Sequence, residues 1–307
     1  MSQWVDLKVG FTCNNRCIHC VVSDKTNERD LTFEEIQQLL QDYIQEFGTI
    51  QLTLTGGEIT IRKDFEKIIA YVSQLKKEGK ITFVDMQTNA RMLSKDEVLK
   101  PTIGVVDFFL VALHGFEPLT HDSITQVRGS FEQTTTALGK IVEATDPNSV
   151  AIQTVINRKN YKNLRRIYQF VYETFGIKEF NITFPHPIGV CNSCDVVPSY
   201  HEVQSYVNEA LSYCLDNGIH PYIEALPYCV FKEELRQYAI EFYKERAIHV
   251  VGYAGQVDGK IDYQELFASG HTMYTSCNQC SMQKICEGVW VEHTLLYPDE
   301  DMFSLMK

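Results

Sequence analysis

The sequence predicts an α/β fold: a partial (β/α)6 TIM-like barrel with a smaller C-terminal extension. Three observations carry this. Short β-branched or aromatic runs alternate with helical patterns from the N-terminus to Phe184, as in repeated βα units around a parallel sheet. The alternation stops after the stretch Phe184-Pro185-His186-Pro187-Ile188-Gly189. Six units are too few to close a barrel that takes eight.

The strands are read in order as Trp4–Gly10, Ile50–Thr55, Ile81–Thr88, Val105–Leu113, Ser149–Ile156 and Glu179–Phe184. Each is short and apolar, as buried parallel strands are. Between the first two, Thr32 and Glu35 form a capping box ahead of Ile36, Leu39, Leu40 and Tyr43, which predicts a helix to Phe47. Asp64–Lys77, Phe131–Glu143 and Asn163–Thr174 repeat that apolar spacing. Beyond the barrel, Pro198-Ser199 announces a helix over Tyr200–Asn217. A second helical stretch is read near Lys232–Lys244, and Asp258-Gly259 is read as a hairpin turn. The division is placed so that residues 1–195 form the barrel and 196–307 the extension.

Composition narrows the function. The formal net charge of −12 and the lack of a basic stripe exclude a general nucleic-acid backbone binder. The aromatic residues follow core periods and form no base-stacking array. No apolar run approaches the ~20 residues of a membrane span, and the N-terminus lacks the pattern of a signal peptide. A cytoplasmic protein is expected. There, ten cysteines serve metal ligation or catalysis more readily than disulfides.

Three of them open the chain as Cys13-x3-Cys17-x2-Cys20. A closed zinc site takes four ligands, and the fourth is missing here. His19 lies between two of the cysteines, where loop geometry disfavours joint ligation. A four-iron cluster held by three thiolates instead keeps one iron open. The loop follows the first strand and so lies at the C-terminal mouth of the barrel, where such folds keep their chemistry.

This signature resembles that of the radical SAM superfamily. The resemblance implies a [4Fe-4S] cluster on Cys13, Cys17 and Cys20 whose open iron binds the amino and carboxylate groups of S-adenosylmethionine. Reductive cleavage then yields methionine and a 5′-deoxyadenosyl radical that abstracts hydrogen from substrate. Thr55–Thr60 resembles the family's Gly-Gly-Glu motif: Gly56 and Gly57 permit close backbone approach, and Glu58 offers an acceptor to the cofactor ammonium. Four weaker cofactor contacts follow. Asn89 lies after the third strand, and Asn157 at the fifth-strand exit. Arg128, beside Gly129-Ser130-Phe131, would meet the methionine carboxylate, or stand as a solvated loop arginine. His114, with Ala112, replaces the family's acid and serine in the fourth-strand pattern; it would reach a ribose.

Near the C-terminus, Cys277-x2-Cys280-x5-Cys286 resembles the motif of twitch and SPASM extensions, implying a second, auxiliary [4Fe-4S] cluster. No cysteine follows Cys286, so Cys229 is taken as the fourth ligand; a zinc knuckle is the alternative. Cys214 reads as a buried apolar residue. Cys191 and Cys194 remain open between a redox pair, a hydrogen-atom donor, alternative cluster ligands and incidental loop thiols. His186 is read as packed in a rigid turn, and His121 and His293 as isolated. Such extensions recur in enzymes that modify ribosomally made peptides and in dehydrogenases acting on small carbinols. Peptide modification is the expected activity, with a flavodoxin- or ferredoxin-type electron donor. No peptide-recognition segment is read ahead of the strand at Trp4, which keeps the small-molecule substrate in play. A non-catalytic iron–sulfur or zinc module is the third reading, and the Gly-Gly-Glu motif is what it leaves unexplained.

Overall fold

The computed structural model describes residues 3–23, 29–239, 250–253, 261–262 and 270–306. Seven strands lie side by side in chain order, all parallel: β1 (Gln3–Lys8), β2 (Ile50–Thr55), β3 (Ile81–Thr88), β4 (Phe108–Ala112), β5 (Val150–Val155), β6 (Glu179–Thr183) and β7 (His220–Glu224). They curl into a half-barrel. On the free side of β1, β8 (Val250–Tyr253) pairs in parallel and β9 (Ile261–Asp262) pairs with β8 antiparallel. The turn read at Asp258-Gly259 lies outside the described residues.

Helices α1 (Phe33–Phe47), α2 (Phe65–Lys77), α3 (Asp96–Leu99), α4 (Pro118–Thr125), α5 (Ser130–Ala144), α6 (Leu164–Phe175) and α7 (Tyr200–Asp216) fill the connections. The capping box of α1 is formed as read: Glu35 N–H donates to Thr32 Oγ1 at 3.2 Å, and Thr32 N–H to Glu35 Oε2 at 2.8 Å. Ser199 and Glu202 make the same box at the start of α7. The stretch near Lys232–Lys244 opens with 3-10 turns over Glu233–Tyr238; its remainder from residue 240 lies outside the described residues.

The run of consecutive parallel strands is one longer than the six read from sequence, and β8 and β9 extend the sheet beyond β1. Pro221 obscures β7, since proline cannot donate to a ladder. Here it is tolerated because, among the described residues, β7 is the edge strand, paired along its length with β6 and otherwise only by a single bridge from Ile223 to Ala239. Toward the C-terminus β10 (His271–Thr272) pairs antiparallel with β11 (Val289–Trp290), and α8 (Val291–Leu296) follows.

Alternation along each strand separates two faces. Val5, Leu7, Leu52, Leu54, Val84, Met86, Phe109, Val111, Ile152, Phe180 and Ile182 are buried on the outer face. The inner face is mixed: Asp6, Lys8, Thr53, Thr55, Asp85, Gln87, Gln153, Asn181, Thr183 and Glu224 share it with Trp4, Phe83, Phe108, Leu110, Ala151, Val155 and Tyr222. Register places Asp6 beside Thr53 and Thr53 beside Asp85, and higher up Gln153 beside Asn181 and Thr183 beside Glu224.

Candidate active site

The cysteine loop leaves β1 at its C-terminal end and is held by backbone from both sides. Gly57 N–H donates to Gly10 O at 2.8 Å, and Glu58 N–H to Thr12 O at 2.9 Å. A Cβ on Gly57 would stand 2.2 Å from Thr12 O, so only glycine permits this approach. Gly56 has φ +137°, and its Cβ would lie 2.6 Å from Gly10 O. The glycine pair therefore meets the strand exit that carries the thiols. Asp30 Oδ1 takes the N–H groups of Phe11 (2.8 Å) and Thr12 (3.1 Å). Arg62 reaches Val9 O and Leu31 O and pairs with Asp64. Within the loop, Arg16 and Ile18 N–H donate to Thr125 and Ile124 carbonyls of α4, and Arg91 binds Asn14 O (2.6 Å) and Asn15 Oδ1 (2.8 Å). Asp30, Arg62 and Arg91 were not singled out from the sequence.

The three thiols suit a cationic cluster. Burial pushes Cys13 up to about 11, against the Asn15 N–H bond to its sulfur (3.3 Å), with the charges of Glu58 and Cys20 adding to the rise. Cys17 is raised further, by burial first and then by Cys13 and Cys20. Three thiols that disfavour one another's ionisation coexist as thiolates only around a cation, which an iron cluster supplies.

Glu58 is 2% exposed and its carboxylate already has four protein donors. Oε1 accepts Thr60 N–H (3.0 Å), Thr60 Oγ1 (2.5 Å) and Thr88 Oγ1 (2.8 Å), and Oε2 accepts Asn89 N–H at 2.7 Å. Asn89 in turn reaches Asn14 Oδ1 (2.7 Å) and Cys13 Sγ (3.8 Å) through Nδ2. Glu58 thus fastens the ends of β2 and β3 and, through Asn89, the cysteine loop. Glu58→Gln is expected to lower stability by about 1.5–3 kcal/mol, the scale of a hydrogen bond to a charged group, and to lower cluster content with it. Thermal unfolding and iron analysis check this. A fall in cofactor affinity alone, with stability and iron unchanged, would assign Glu58 to the cofactor instead.

The other contact residues fall into different settings. Asn157 is fully buried with its amide engaged in its own turn, by Val155 O and Lys159 N–H. Arg128 is exposed in the turn before α5, where Asp122 binds the N–H groups of Gly129 and Phe131. His114 is 3% exposed and accepts Val155 N–H on Nδ1 at 3.4 Å. Its neighbours correct the sequence reading of His19 and His121. The ring of His19 stands edge-on to His114 at 4.4 Å, and His121 stacks on His114 at 5.9 Å. Cys17, His19 and His114 each bring a ligand atom within 4.8 Å of the others. The loop and α4 fold back over the β4 exit, joining histidines that are far apart in sequence. Burial lowers all three, His19 and His121 to about 4, so they stand as neutral imidazoles.

In the extension, Cys229, Cys277, Cys280 and Cys286 line one small cavity with Met282 and Met302. Burial, then Cys286, Cys277 and Cys280, raises the Cys229 thiol. Two of the four receive a backbone bond from two residues on: Met282 N–H to Cys280 Sγ and Gly288 N–H to Cys286 Sγ, both 3.4 Å. Asn15 makes the same bond to Cys13, and such donors stabilise thiolate ligands. Cys214 is buried as read. Cys191 is buried, pushed up to about 12 by burial and by Cys20, whereas Cys194 is exposed with its sulfur 3.7 Å from Leu296 O. His293, read as isolated, is buried among Phe184, Tyr200 and Tyr297 and bonds Tyr274 Oη at 3.1 Å. His186 stacks on Trp290 at 3.9 Å and meets Glu292 at 3.0 Å.

Inside the half-barrel, burial pushes Asp85 up to about 7; the Thr53 hydroxyl opposes the rise and Asp6 adds to it. Folded Asp85 therefore holds a proton that the unfolded chain releases above the ordinary aspartate value. Stability should fall as pH rises from about 4 to about 7, by roughly 4 kcal/mol at most from this group. Asp85→Asn is expected to flatten that fall, seen in denaturant titrations across this range.

Comparison with known families decides the class. The model of the radical SAM superfamily matches residues 7–171, the span holding the cysteine loop and the glycine pair. The chain belongs to the radical SAM superfamily. Radical SAM enzymes bind S-adenosylmethionine and a [4Fe-4S] cluster. Sequence relatives include a probable GTP 3′,8-cyclase of Sulfurisphaera tokodaii, 29% identical over 214 residues, covering 67% of this chain and 63% of that protein. One of Saccharolobus solfataricus is 28% identical over 189 residues, covering 60% and 58%. The matched region thus spans about three fifths of these relatives' length. Among solved structures, Streptococcus suis SuiB bound to its precursor peptide SuiA aligns with TM-score 0.66 at 12% identity, covering 96% of this chain and 73% of that one. The anSMEcpe structure with bound AdoMet and Cp18Cys peptide aligns with TM-score 0.63 at 14% identity, covering 100% and 94%. At such identities these likenesses concern the fold. No helix among the described residues is long and apolar enough to cross a membrane.

Proposed function

We propose that this radical SAM enzyme holds its catalytic [4Fe-4S] cluster on Cys13, Cys17 and Cys20 and an auxiliary [4Fe-4S] cluster on Cys229, Cys277, Cys280 and Cys286, and that it abstracts hydrogen from a peptide substrate. The catalytic cluster would supply the electron that cleaves S-adenosylmethionine to methionine and a 5′-deoxyadenosyl radical. The chain's own part is positional. Gly56 and Gly57 press the second strand exit onto the thiol loop, and Asn89 ties Cys13 to the third. Asn89, His114, Arg128 and Asn157 remain the proposed cofactor contacts beside them.

The observation that carries the two-cluster reading is the convergence of Cys229 with the C-terminal triplet on one cavity. Four thiolates saturate a cluster, so the auxiliary centre would serve electron transfer or structure. The peptide substrate is favoured by the fold shared with SuiB, which was solved with its precursor peptide. A small molecule is the second reading, favoured by relatives named for a reaction of GTP. A cytoplasmic setting with a flavodoxin- or ferredoxin-type donor fits either reading.

Electron paramagnetic resonance of the dithionite-reduced, anaerobically reconstituted protein tests the assignment. Two four-iron signals are expected, and S-adenosylmethionine should change only one. Iron-loaded protein whose spectrum ignores the cofactor would support a non-catalytic module.

A further inference from the structure

The charged side chains on the inner face of β1–β7 are unbalanced. Among the described residues, Asp6, Asp85, Glu179 and Glu224 face this lumen, against Lys8 and His220. Gln87 is exposed although its strand is flanked on both sides, so solvent enters the lumen.

Hydrogen bonding along this face leaves acceptors over. Gln153 Nε2 donates to Thr183 Oγ1 (2.6 Å), which donates to Glu224 Oε2 (3.0 Å), and Asn181 Nδ2 donates to Glu224 Oε1 (3.3 Å). Because these chains end on a carboxylate, both amides must turn their NH2 groups toward it. Their oxygens, Gln153 Oε1 and Asn181 Oδ1, are buried without a donor. Deeper down, Trp4 Nε1 donates to Thr53 Oγ1 (2.6 Å), which donates to Asp85 Oδ2 (3.2 Å). Asp85 is 8% exposed, and its Oδ1 has no partner: it is an unpaired carboxyl hydroxyl below about pH 7 and an unpaired acceptor above it. A buried acceptor without a donor costs free energy that a ligand's donor recovers.

We propose that the part of the substrate entering this lumen carries hydrogen-bond donors and positive charge, namely a primary ammonium group, and that nucleoside triphosphates are rejected. The inference rests on the reading of this chain as a radical SAM enzyme with its substrate at the barrel mouth. A triphosphate would meet the Glu224 carboxylate at the mouth, with Asp6 and Glu179 further down the same face, a repulsive arrangement of the kind that enforces specificity. Three arginines near the mouth already serve protein acceptors: Arg62 with Asp64, Arg91 with Asn14 and Asn15, and Arg158 with Glu202. Lys8 at the end of β1 and the exposed Arg16 and Arg128 are the cations a triphosphate would have to use.

Calorimetric titration of the reconstituted, S-adenosylmethionine-loaded full chain tests this with three probes: N-acetyl-lysine amide, N-acetyl-norleucine amide and GTP. The lysine probe should bind about ten-fold or more tighter than norleucine, the ratio one charge-assisted bond supplies, and GTP should bind more weakly than the lysine probe. Glu224→Gln and Asp85→Asn, each checked for folding by circular dichroism, should shrink the lysine preference. Equal affinity for the two amides would overturn the proposal. So would GTP binding tighter than the lysine probe. Formation of 5′-deoxyadenosine without added substrate is measured in parallel. If it occurs while the amides bind equally, only the substrate inference falls; if it is absent, the enzymatic reading falls.

Discussion

Replacing Cys13, Cys17 and Cys20 together by Ala is expected to remove about half the iron, four atoms of eight on the two-cluster reading, and to reduce cleavage of S-adenosylmethionine to background. The fold should survive, because the loop is held by backbone and side-chain bonds that do not involve the thiols. Gly57 to Gly10, Asp30 to Phe11 and Thr12, and Arg91 to Asn14 all persist in the variant. What disappears is the site with an open iron. Iron analysis and chromatography of 5′-deoxyadenosine read the two effects separately. Retained cleavage would sink the assignment.

Cys229→Ala is expected to lose or destabilise the auxiliary cluster while the variant still cleaves S-adenosylmethionine at the other. Cys229 sits half-buried in a 3-10 turn over Tyr228–Val230, and the remaining thiols come from the segment before β11. Without it three ligands remain, and an iron is left open to solvent and oxidation. Iron content should again fall by about half. Cys191 and Cys194 provide the control: Cys191 is buried on the side of Cys20, and Cys194 faces Leu296 O. If Cys229→Ala keeps all its iron while Cys191→Ala or Cys194→Ala loses it, the fourth ligand comes from the barrel mouth. The auxiliary cluster would then stand beside the substrate.

The parts of this site that were legible in sequence are those written in local spacing. Three cysteines within eight residues, Gly56-Gly57-Glu58 at a strand end and the Thr32/Glu35 box each declare themselves in one short window. Cys229 is read as the fourth ligand from its place in a twitch-like unit, and it lines one cavity with Cys277, Cys280 and Cys286. The groups that hold the thiol loop were not legible. Asp30 meets Phe11 from 19 residues away, and Arg91 meets Asn14 from 77, contacts with no periodic trace in the chain. His19, His114 and His121 looked unrelated because only the fold-back of α4 assembles them. Glu58 was visible as an acid, but the chain alone did not reveal that Thr60, Thr88 and Asn89 would supply its donors. β7 escaped because Pro221 is a strand-breaking signal except at an edge.

The central claim is that the Cys13 loop holds a redox-active cluster that cleaves a bound cofactor. The most direct measurement is the product of that cleavage: anaerobically reconstituted protein, reduced with dithionite and given S-adenosylmethionine, analysed for 5′-deoxyadenosine and methionine. The account predicts both products in equal amounts, dependent on reductant and absent from the triple cysteine variant. Iron-loaded, reduced protein that leaves S-adenosylmethionine intact would contradict it.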